Sequence, residues 1–199
     1  MDAIKCIKTR RSHRRFLDQP IPDDVLTQIV EAGQCAPSGG NSQSFHFIVV
    51  TNREIIAKLA DMVQAAYAPM EARPGMYGSL INSINQSKRG DYVFHYAPPA
   101  FIIVANQITY PNAMADSACA LQNMMLAANA LDLGSCWINQ LRWLDKESGM
   151  TGEHPELADY LHTLGLEEGE MVCGALSVGY VEKLNRMETP RKSKVTIVK

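Results

Sequence analysis

The sequence has little net charge and few cysteines, and both shortages exclude classes of protein. Its 19 lysines and arginines and 21 aspartates and glutamates leave a formal net charge of −2, which argues against nucleic acid or an anionic membrane as the main partner. The five cysteines are widely scattered and form no CxxC pair, so they indicate neither a zinc site nor a disulfide framework. We therefore expect a reducing, cytoplasmic environment.

Several motifs of enzymes and exported proteins are also absent. The sequence contains no GxGxxG after a strand, no GxxxxGK[ST], no HExxH and no GxSxG, which excludes the Rossmann, P-loop, zincin and serine-hydrolase interpretations. The five histidines lack the mutual spacing of metal ligands, so no metal site is predicted. The first residues lack the apolar core of a signal peptide. The longest apolar segment, residues 113–131, carries five polar residues, which argues against a membrane span.

What is present is an ordinary globular composition. Of the 199 residues, 46% are hydrophobic and 20% are charged, which suits one domain with a sizeable core. The chain contains no repeats, low-complexity tracts or linker-like stretches. We therefore predict a single domain over residues 1–199.

A dense basic segment, Arg10 to Arg15, stands out against this balanced charge. It follows a short amphipathic segment and contains Ser12, whose hydroxyl group adds to the guanidinium donors. Such donors suit a bound phosphate because the arginine fork matches phosphate oxygens. A solvated basic face or a nucleic-acid patch would have the same composition, so these alternatives stay open on this segment alone.

Hydrophobic periodicity and turn residues predict helices alternating with strands. Helices are predicted at residues 23–35, 113–131 and 156–164, with another starting after Thr51 or Asn52, and strands at 45–50, 100–105, 135–138 and 171–180. Within the last strand, Gly174 and Gly179 are expected to mark a bulge or a close approach of the backbone.

Two segments depart from this regular pattern. Residues 67–96 lack clear periodicity, although 78–87 is compatible with a helix, so this stretch is either a functional cover or a mobile insertion. The helix at 113–131 is apolar on nearly all sides and must therefore be buried on nearly all sides. A domain of this size rarely encloses a helix by itself, so we expect a subunit interface to cover it.

Groups able to bind a ligand occur at three further places. A loop after the first long helix contains Ser38, Asn41 and Gln43, whose amide and hydroxyl groups suit the edge of a heterocycle. A plain C-terminal turn of a helix would look the same. Gly134-Ser135 likewise fits an ordinary helix stop, and Arg191 fits a solvated tail.

The joint pattern of these segments resembles the nitroreductase family of flavin oxidoreductases. The resemblance covers essentially the whole chain and rests on four blocks in order. These blocks are residues 10–16 (RRSHRRF), 36–43 (APSGGNSQ), 116–137 ending in LGSCW, and 179–180 together with 190–192. One departure is Ser44-Phe45, where the family often has a Pro-Trp pair, so the loop keeps an aromatic residue and loses a rigid one.

The resemblance implies an α+β fold with a central, mostly antiparallel sheet flanked by helices, in an intertwined homodimer with FMN at shared active sites. It implies that the basic block and a late arginine bind the FMN phosphate. A loop of the partner subunit would reach the flavin, the backbone after the long helix would lie at the flavin edge, and residues 67–96 would form a variable cover on the substrate side. The residues implied to bind the cofactor are Arg10, Arg11, Ser12, Arg14, Pro37, Ser38, Gly39, Asn41, Gln43, Gly134, Ser135 and Arg191.

The activity implied by the resemblance is that of an FMN-dependent oxidoreductase. It would move hydride from NADH or NADPH through flavin N5 to a small aromatic or quinone-like acceptor by a ping-pong mechanism. Because the chemistry takes place on the flavin, no catalytic side chain is predicted. Two alternatives stay open: a flavoenzyme dedicated to one halogenated or enone substrate, and a non-catalytic FMN-binding or sensing module.

Overall fold

The computed structural model describes residues 2–148 and 150–199. Within them the helices are α1 (Ala3–Thr9), α2 (Asp23–Gln34), α3 (Arg53–Tyr67), α4 (Gly78–Arg89), α5 (Ala113–Ala130), α6 (Gln140–Leu144) and α7 (Pro155–Thr163). The strands are β1 (His46–Val50), β2 (Ala100–Gln107), β3 (Gly134–Ile138) and β4 (Glu170–Gly179), and 3₁₀ turns lie at Gly39–Asn41 and Lys146–Ser148.

The four strands form one antiparallel sheet in the order β1-β2-β4-β3. Side chains of the central strand β2 alternate between its two faces. Phe101 and Ile103 belong to a core that includes side chains of α3 and α4, whereas Ile102 and Val104 pack in a second core with Leu121 of α5. The predicted α+β fold with helices on both sides of an antiparallel sheet is therefore confirmed.

Most predicted elements end within two residues of the observed ones. The start of α3 is fixed by Asn52, whose side-chain oxygen accepts hydrogen bonds from the backbone N–H groups of Glu54 (2.9 Å) and Ile55 (3.2 Å), as expected of an N-cap. The sequence pattern did not predict α6, whose five residues are too few for a periodicity to appear.

The predicted irregularity of β4 near Gly174 is confirmed. Val104 of β2 pairs with Gly174, but the next residue, Ala105, pairs with Val172, so β4 contains one extra residue here. A Cβ atom at Gly174 would lie 2.9 Å from Leu121 Cδ1 and 3.0 Å from Trp137 Nε1. The glycine therefore lets α5 and β3 approach the strand closely.

Helix α5 is not covered on all sides within one subunit. Its polar residues Asp116, Ser117 and Asn129 are buried, whereas Ala115 and Cys119 are exposed. The polar groups are buried at little cost because they are hydrogen-bonded; Asn129 Nδ2, for instance, donates to the Cys6 carbonyl at 3.1 Å. The exposed stripe of small residues still lacks the cover that the sequence predicts. No helix in the described part of the chain is both long and apolar enough to cross a membrane.

Residues 67–96 are more regular than the sequence pattern indicates. They contain α4, and Tyr67, Ile84 and Phe94 are fully buried in the core shared with α3. Among the aromatic residues of this stretch, Tyr77 is exposed to 62%. The stretch therefore contributes one helix and several large side chains to the core, while most of its residues remain exposed. Its role as a substrate-side cover stays a prediction that narrows to the neighbourhood of Tyr77.

Candidate cofactor site

The basic segment runs beside the start of β3. Ser12 forms a parallel bridge with Ser135, the His13 N–H donates to the Ser135 carbonyl at 2.9 Å, and the Leu17 N–H donates to the Tyr180 carbonyl at 2.8 Å. Two blocks that are far apart in the sequence are therefore neighbours in the fold. Gly134 permits this contact, since a Cβ atom there would lie 2.9 Å from His13 Cβ and 2.5 Å from Val181 Cγ1.

Three predicted arginines carry uncompensated positive charge at this place. Within residues 2–148 and 150–199, no ion pair involves Arg10, Arg14 or Arg191. The pKa of Arg10 is lowered, first by burial and then by the nearby charges of Arg11 and Arg191. Mutual repulsion of this kind favours a bound anion, and a phosphate group with several acceptor oxygens fits the arginine donors.

Arg11 has a different set of contacts from its neighbours. Its guanidinium donates to the carbonyl groups of Lys8 (3.0 Å) and Arg10 (2.6 Å), and on the other side to the Met187 carbonyl and to Thr189 Oγ1. These contacts hold the tail that follows β4 against the basic segment. Arg11 therefore positions the tail, and fewer of its donors remain for a ligand.

The beginning of the tail, at Asn185 and Arg186, is held by further hydrogen bonds. The Arg186 guanidinium donates to the Asn129 carbonyl and to Asp132 Oδ1, both at 2.6 Å, and the Asn185 N–H donates to His13 Nε2 at 3.0 Å. The beginning of the tail is thereby anchored to the end of α5 and to the basic segment. This anchoring leaves Arg191 close enough to Arg10 to lower its pKa.

A cavity of about 230 Å³ opens beside Arg14. The residues that line it come from the basic segment, α4, the turn before β2, the end of β3 and α6: Arg14, Tyr77, Ser79, Asn82, Tyr92, Tyr96, Cys136, Trp137, Ile138, Asn139, Gln140 and Trp143. The Arg14 guanidinium lies 5.7 Å from the centre of the Tyr96 ring, within the range of a cation–π contact. Except for Arg14, the lining is aromatic or uncharged, which suits a flat ring with acceptor atoms.

The inner wall of this cavity is fixed by a hydrogen-bond network. Tyr92 Oη bonds with Ser83 Oγ at 2.7 Å and accepts from Gln140 Nε2 at 2.9 Å, while Tyr67 Oη donates to the Gln140 carbonyl at 3.2 Å. Residues of α3, of α4 and of the segment after α4 therefore hold Gln140 at the start of α6. Burial, above all, raises the pKa of Tyr92, so the phenol stays protonated and the network intact at neutral pH.

The predicted loop around Gly39 lies elsewhere in the subunit. Asp116, in the first turn of α5, accepts from the Gly39 N–H (3.0 Å) and from Tyr110 Oη (2.6 Å), which in turn bonds to the Gly39 carbonyl at 3.1 Å. Ser38 Oγ closes the loop by accepting from the Gln43 N–H at 3.1 Å. This loop thus sits at the beginning of α5, whereas Gly134-Ser135 follows its end.

The length of α5 separates the two halves of the predicted site. At 1.5 Å per residue, an 18-residue helix is about 27 Å long. One subunit therefore brings together Arg10, Arg14, Gly134-Ser135 and Arg191, and keeps the loop of residues 37–43 away from them.

Removing the Asp116 carboxylate is expected to loosen this loop. Asp116→Ala would strand the Gly39 N–H and leave the Tyr110 hydroxyl only its longer contact with the Gly39 carbonyl, so the free energy of unfolding should fall by about 2 kcal/mol, the scale for hydrogen bonds to a charged group. Urea denaturation measures this loss. Tyr110→Phe should cost less because one donor remains, and Asp61→Ala, at an exposed position of α3, should cost almost nothing. Equal losses in all three variants would contradict the anchoring role of Asp116.

Larger cavities also lie away from the arginines, and two of them border α7. One of about 300 Å³ lies between α6 and α7, and one of about 490 Å³ lies between α3 and the start of α7. Neither shares a lining residue with the cavity beside Arg14. In the described part of the chain, no group of three or more His, Cys, Asp or Glu residues is arranged to hold a metal ion.

Most of the cavity lining was not predicted from the sequence. Asn82, Tyr96, Asn139 and Gln140 come from three separate elements and follow no motif. The one available signal was the sequence GSCWINQ, in which polar residues follow directly after a short apolar strand. The basic segment and Gly134-Ser135 were predicted because their residue types are unusual where they occur.

An antiparallel sheet enclosed by helices, with a cavity beside Arg14 at the end of a strand and further arginines nearby, defines an α+β protein suited to bind an anionic cofactor. The sequence profile of the Nitroreductase family matches residues 7–180, and the chain belongs to this family. The match omits the first six residues and the tail that carries Arg191.

Individual relatives agree with this assignment. A "Putative NADH dehydrogenase/NAD(P)H nitroreductase" of Methanothermobacter thermautotrophicus is 31% identical over 153 residues, which are 75% of this chain and 67% of the relative. The crystal structure of a nitroreductase with bound FMN from Bacteroides fragilis has a TM-score of 0.85 and 33% identity and covers 100% of both chains. A nitroreductase with bound FMN from Desulfitobacterium hafniense has a TM-score of 0.80 and 27% identity, covering 98% of this chain and 97% of its own.

Proposed function

We propose that this chain is an FMN-dependent oxidoreductase that uses NADH or NADPH as its electron donor. The cluster of Arg10, Arg14 and Arg191, which forms no ion pair within the described residues, carries the proposal because it offers several donors to an anion beside an aromatic cavity. FMN matches this arrangement with a phosphate group and a flat ring. The bound FMN of two solved relatives with the same fold supports this choice.

Each part of the site has a separate task in this proposal. Arg10, Ser12, Arg14 and Arg191 bind the phosphate, and the backbone at Gly134-Ser135 lies along the flavin. When bound, FMN supplies an atom, N5, that accepts hydride from NAD(P)H and passes it on in a ping-pong sequence. The protein orients the ring, compensates its charge and excludes water, and no side chain has to act as an acid.

The proposed active unit is a homodimer in which both subunits complete each site. The loop with Pro37, Ser38, Gly39, Asn41 and Gln43 lies a helix length away from the arginines of its own subunit, so a second copy has to supply it. The exposed stripe of α5 is the proposed contact surface. The tail supports a partner chain as well, since its apolar residues Met187, Val195, Ile197 and Val198 are 71–91% exposed.

The acceptor is proposed to be a small, flat aromatic or quinone-like molecule. Tyr77 packs edge-on against Trp143 with ring centres 5.7 Å apart, and both line the cavity. No carboxylate lines it among the described residues, so neutral or electron-poor rings are preferred over cations. Tyr77 is the member of the irregular stretch best placed to contact such a ring.

Spectroscopy and turnover together test the proposal. The purified protein, supplemented with FMN, should show the visible absorbance of a bound oxidised flavin, and should oxidise NADH or NADPH continuously when menadione is added. A protein that bleaches its flavin once and stops would be a binding or sensing module. A protein that takes up no FMN would refute the cofactor assignment.

Arg14→Ala is expected to weaken FMN binding by roughly 1.5–3 kcal/mol, the scale of a charge-assisted hydrogen bond. Arg15→Ala is the matched control, because Arg15 is an exposed neighbour that does not line the cavity. Titration with FMN, followed by quenching of flavin fluorescence, measures both dissociation constants. Equal losses in the two variants would show that the arginines have been assigned in the wrong register.

A further inference from the structure

The turn that carries Tyr96 into the cofactor cavity has an unusual backbone. Tyr96 (φ 63°) and Ala97 (φ 46°) are consecutive non-glycine residues in the left-handed region, which side chains with a Cβ atom rarely adopt. Such strain persists only where the surroundings impose it, and it is concentrated at functional sites. The residue that precedes this turn, His95, is hydrogen-bonded to it directly.

His95 is bonded on every polar side. Its side chain is only 1% exposed, Nδ1 accepts from the Ala97 N–H at 3.0 Å, and Nε2 lies 2.8 Å from the Ile56 carbonyl. Because Nδ1 has to accept, the proton resides on Nε2 and is donated to Ile56 of α3. The His95 carbonyl in turn accepts from Ser177 Oγ of β4 at 2.8 Å.

Aromatic packing leaves the imidazole no room to rotate. The ring centres of Phe94 and Phe101 lie 4.6 Å and 5.5 Å from that of His95. The hydrogen bond to Ala97 therefore fixes the left-handed turn relative to both α3 and the sheet. Tyr96 lies between His95 and Ala97 in the sequence, and its ring lies against the Arg14 guanidinium.

We propose that His95 is a positioning residue of the cofactor cavity: it holds the Tyr96–Ala97 turn in its left-handed form, and this turn holds the Tyr96 ring against Arg14. The inference rests on the proposed function, in which Arg14 binds FMN. The Tyr96 side chain also contributes to the raised pKa of Arg14, after the larger effect of Cys136, which supports the pairing. A turn of ordinary geometry would lead into β2 as well, but it would not direct Tyr96 to the cavity.

Two substitutions of His95 separate positioning from mere stability. Asparagine can still accept from the N–H two residues ahead, so His95→Asn keeps the Ala97 contact and loses the Ile56 contact, whereas His95→Phe loses both. Both variants should melt at lower temperature than the wild type. The FMN dissociation constant should rise about tenfold in His95→Phe, as for the loss of one charge-assisted hydrogen bond, and should change little in His95→Asn.

Two more variants keep the test decisive if His95→Phe folds poorly. Glycine adopts the left-handed region without strain, so His95→Phe/Ala97→Gly should recover most of the lost FMN affinity. Tyr96→Leu, at a half-buried position, should fold normally and weaken FMN binding about as much as His95→Phe, because either change removes the ring from Arg14. His46→Phe, which breaks the pair with Glu170 away from the cavity, is the control and should leave the dissociation constant unchanged.

The wild-type titration comes first and separates the two proposals. If FMN binds and both His95 variants lose affinity equally, or neither does, the positioning role is overturned while the proposed function stands. If the wild type takes up no FMN, the proposed function fails. Crystal structures of the two variants then decide the inference: the Tyr96 ring should remain beside Arg14 in His95→Asn and leave it in His95→Phe, and an unmoved ring in both would overturn it.

Discussion

Replacing Cys119 with glutamate should dissociate the proposed dimer and release its flavin. Cys119 is exposed in the isolated subunit, on the same stripe of α5 as Ala115. On a free surface such a substitution changes stability by no more than about 0.5 kcal/mol. In a dry subunit interface it strands an unpaired carboxylate, which costs several kcal/mol. Light scattering after size-exclusion chromatography, together with the visible absorbance of the eluted protein, measures both consequences.

The control for this experiment is Ala57→Glu. Ala57 is an exposed residue of α3, so the new carboxylate remains in water and the protein should elute as a dimer with its flavin. A Cys119→Glu protein that remains a flavin-loaded dimer would show that the stripe on α5 is not the interface. A flavin-loaded monomer would show that one subunit completes the site alone.

Cys119 serves this test better than a residue in the middle of the apolar sequence of α5 chosen without the structure. Ala127, for example, is half-buried against the core of its own subunit, so a charge there would damage the subunit before it reached any interface. The sequence could not distinguish the two positions, because apolar residues occur on all sides of α5. The difference arises from α2 and the sheet, which cover one face and leave the other.

The predicted site segments that the structure brings together share a physical property. The basic segment is conspicuous because four arginines occur together in a nearly neutral chain. Gly134-Ser135 is conspicuous because a glycine ends a long helix and a strand follows at once. Such features are local in sequence, so one stretch of residues is enough to recognise them, and their contact through Ser12 and Ser135 follows from the fold.

The rest of the site depends on tertiary contacts that leave no local pattern. Asn139 is oriented by Trp137, whose indole N–H donates to the side-chain oxygen of Asn139 at 2.8 Å. Tyr96 depends on the neighbouring His95, which is itself bonded to Ile56 of α3. Arg11, by contrast, belongs to the predicted block, but its guanidinium is engaged with the tail. A residue type predicts what a side chain can bind, whereas the packing around it decides which partner it meets.

His95 should make the folded state sensitive to acid. Burial lowers its pKa from an ordinary value of 6.5 to about 4. Between these pH values His95 is therefore protonated in the unfolded chain and neutral in the folded chain. Stability is therefore undiminished above pH 6.5 and falls as the pH is lowered towards 4. A shift of this size corresponds to about 3 kcal/mol of unfolding free energy, a large part of the stability of an ordinary domain.

The difference between wild type and His95→Asn isolates this contribution. Urea denaturation at several pH values between 7 and 4 gives the unfolding free energy of each protein, and the other acid-sensitive groups, His13 and His154 among them, affect both in the same way. The wild type should lose about 3 kcal/mol more than the variant over this range, so that the two curves converge towards pH 4. Parallel curves would mean that His95 takes up its proton in the folded state at an ordinary pH, and the hydrogen bond from the Ala97 N–H to Nδ1 would then not hold the turn.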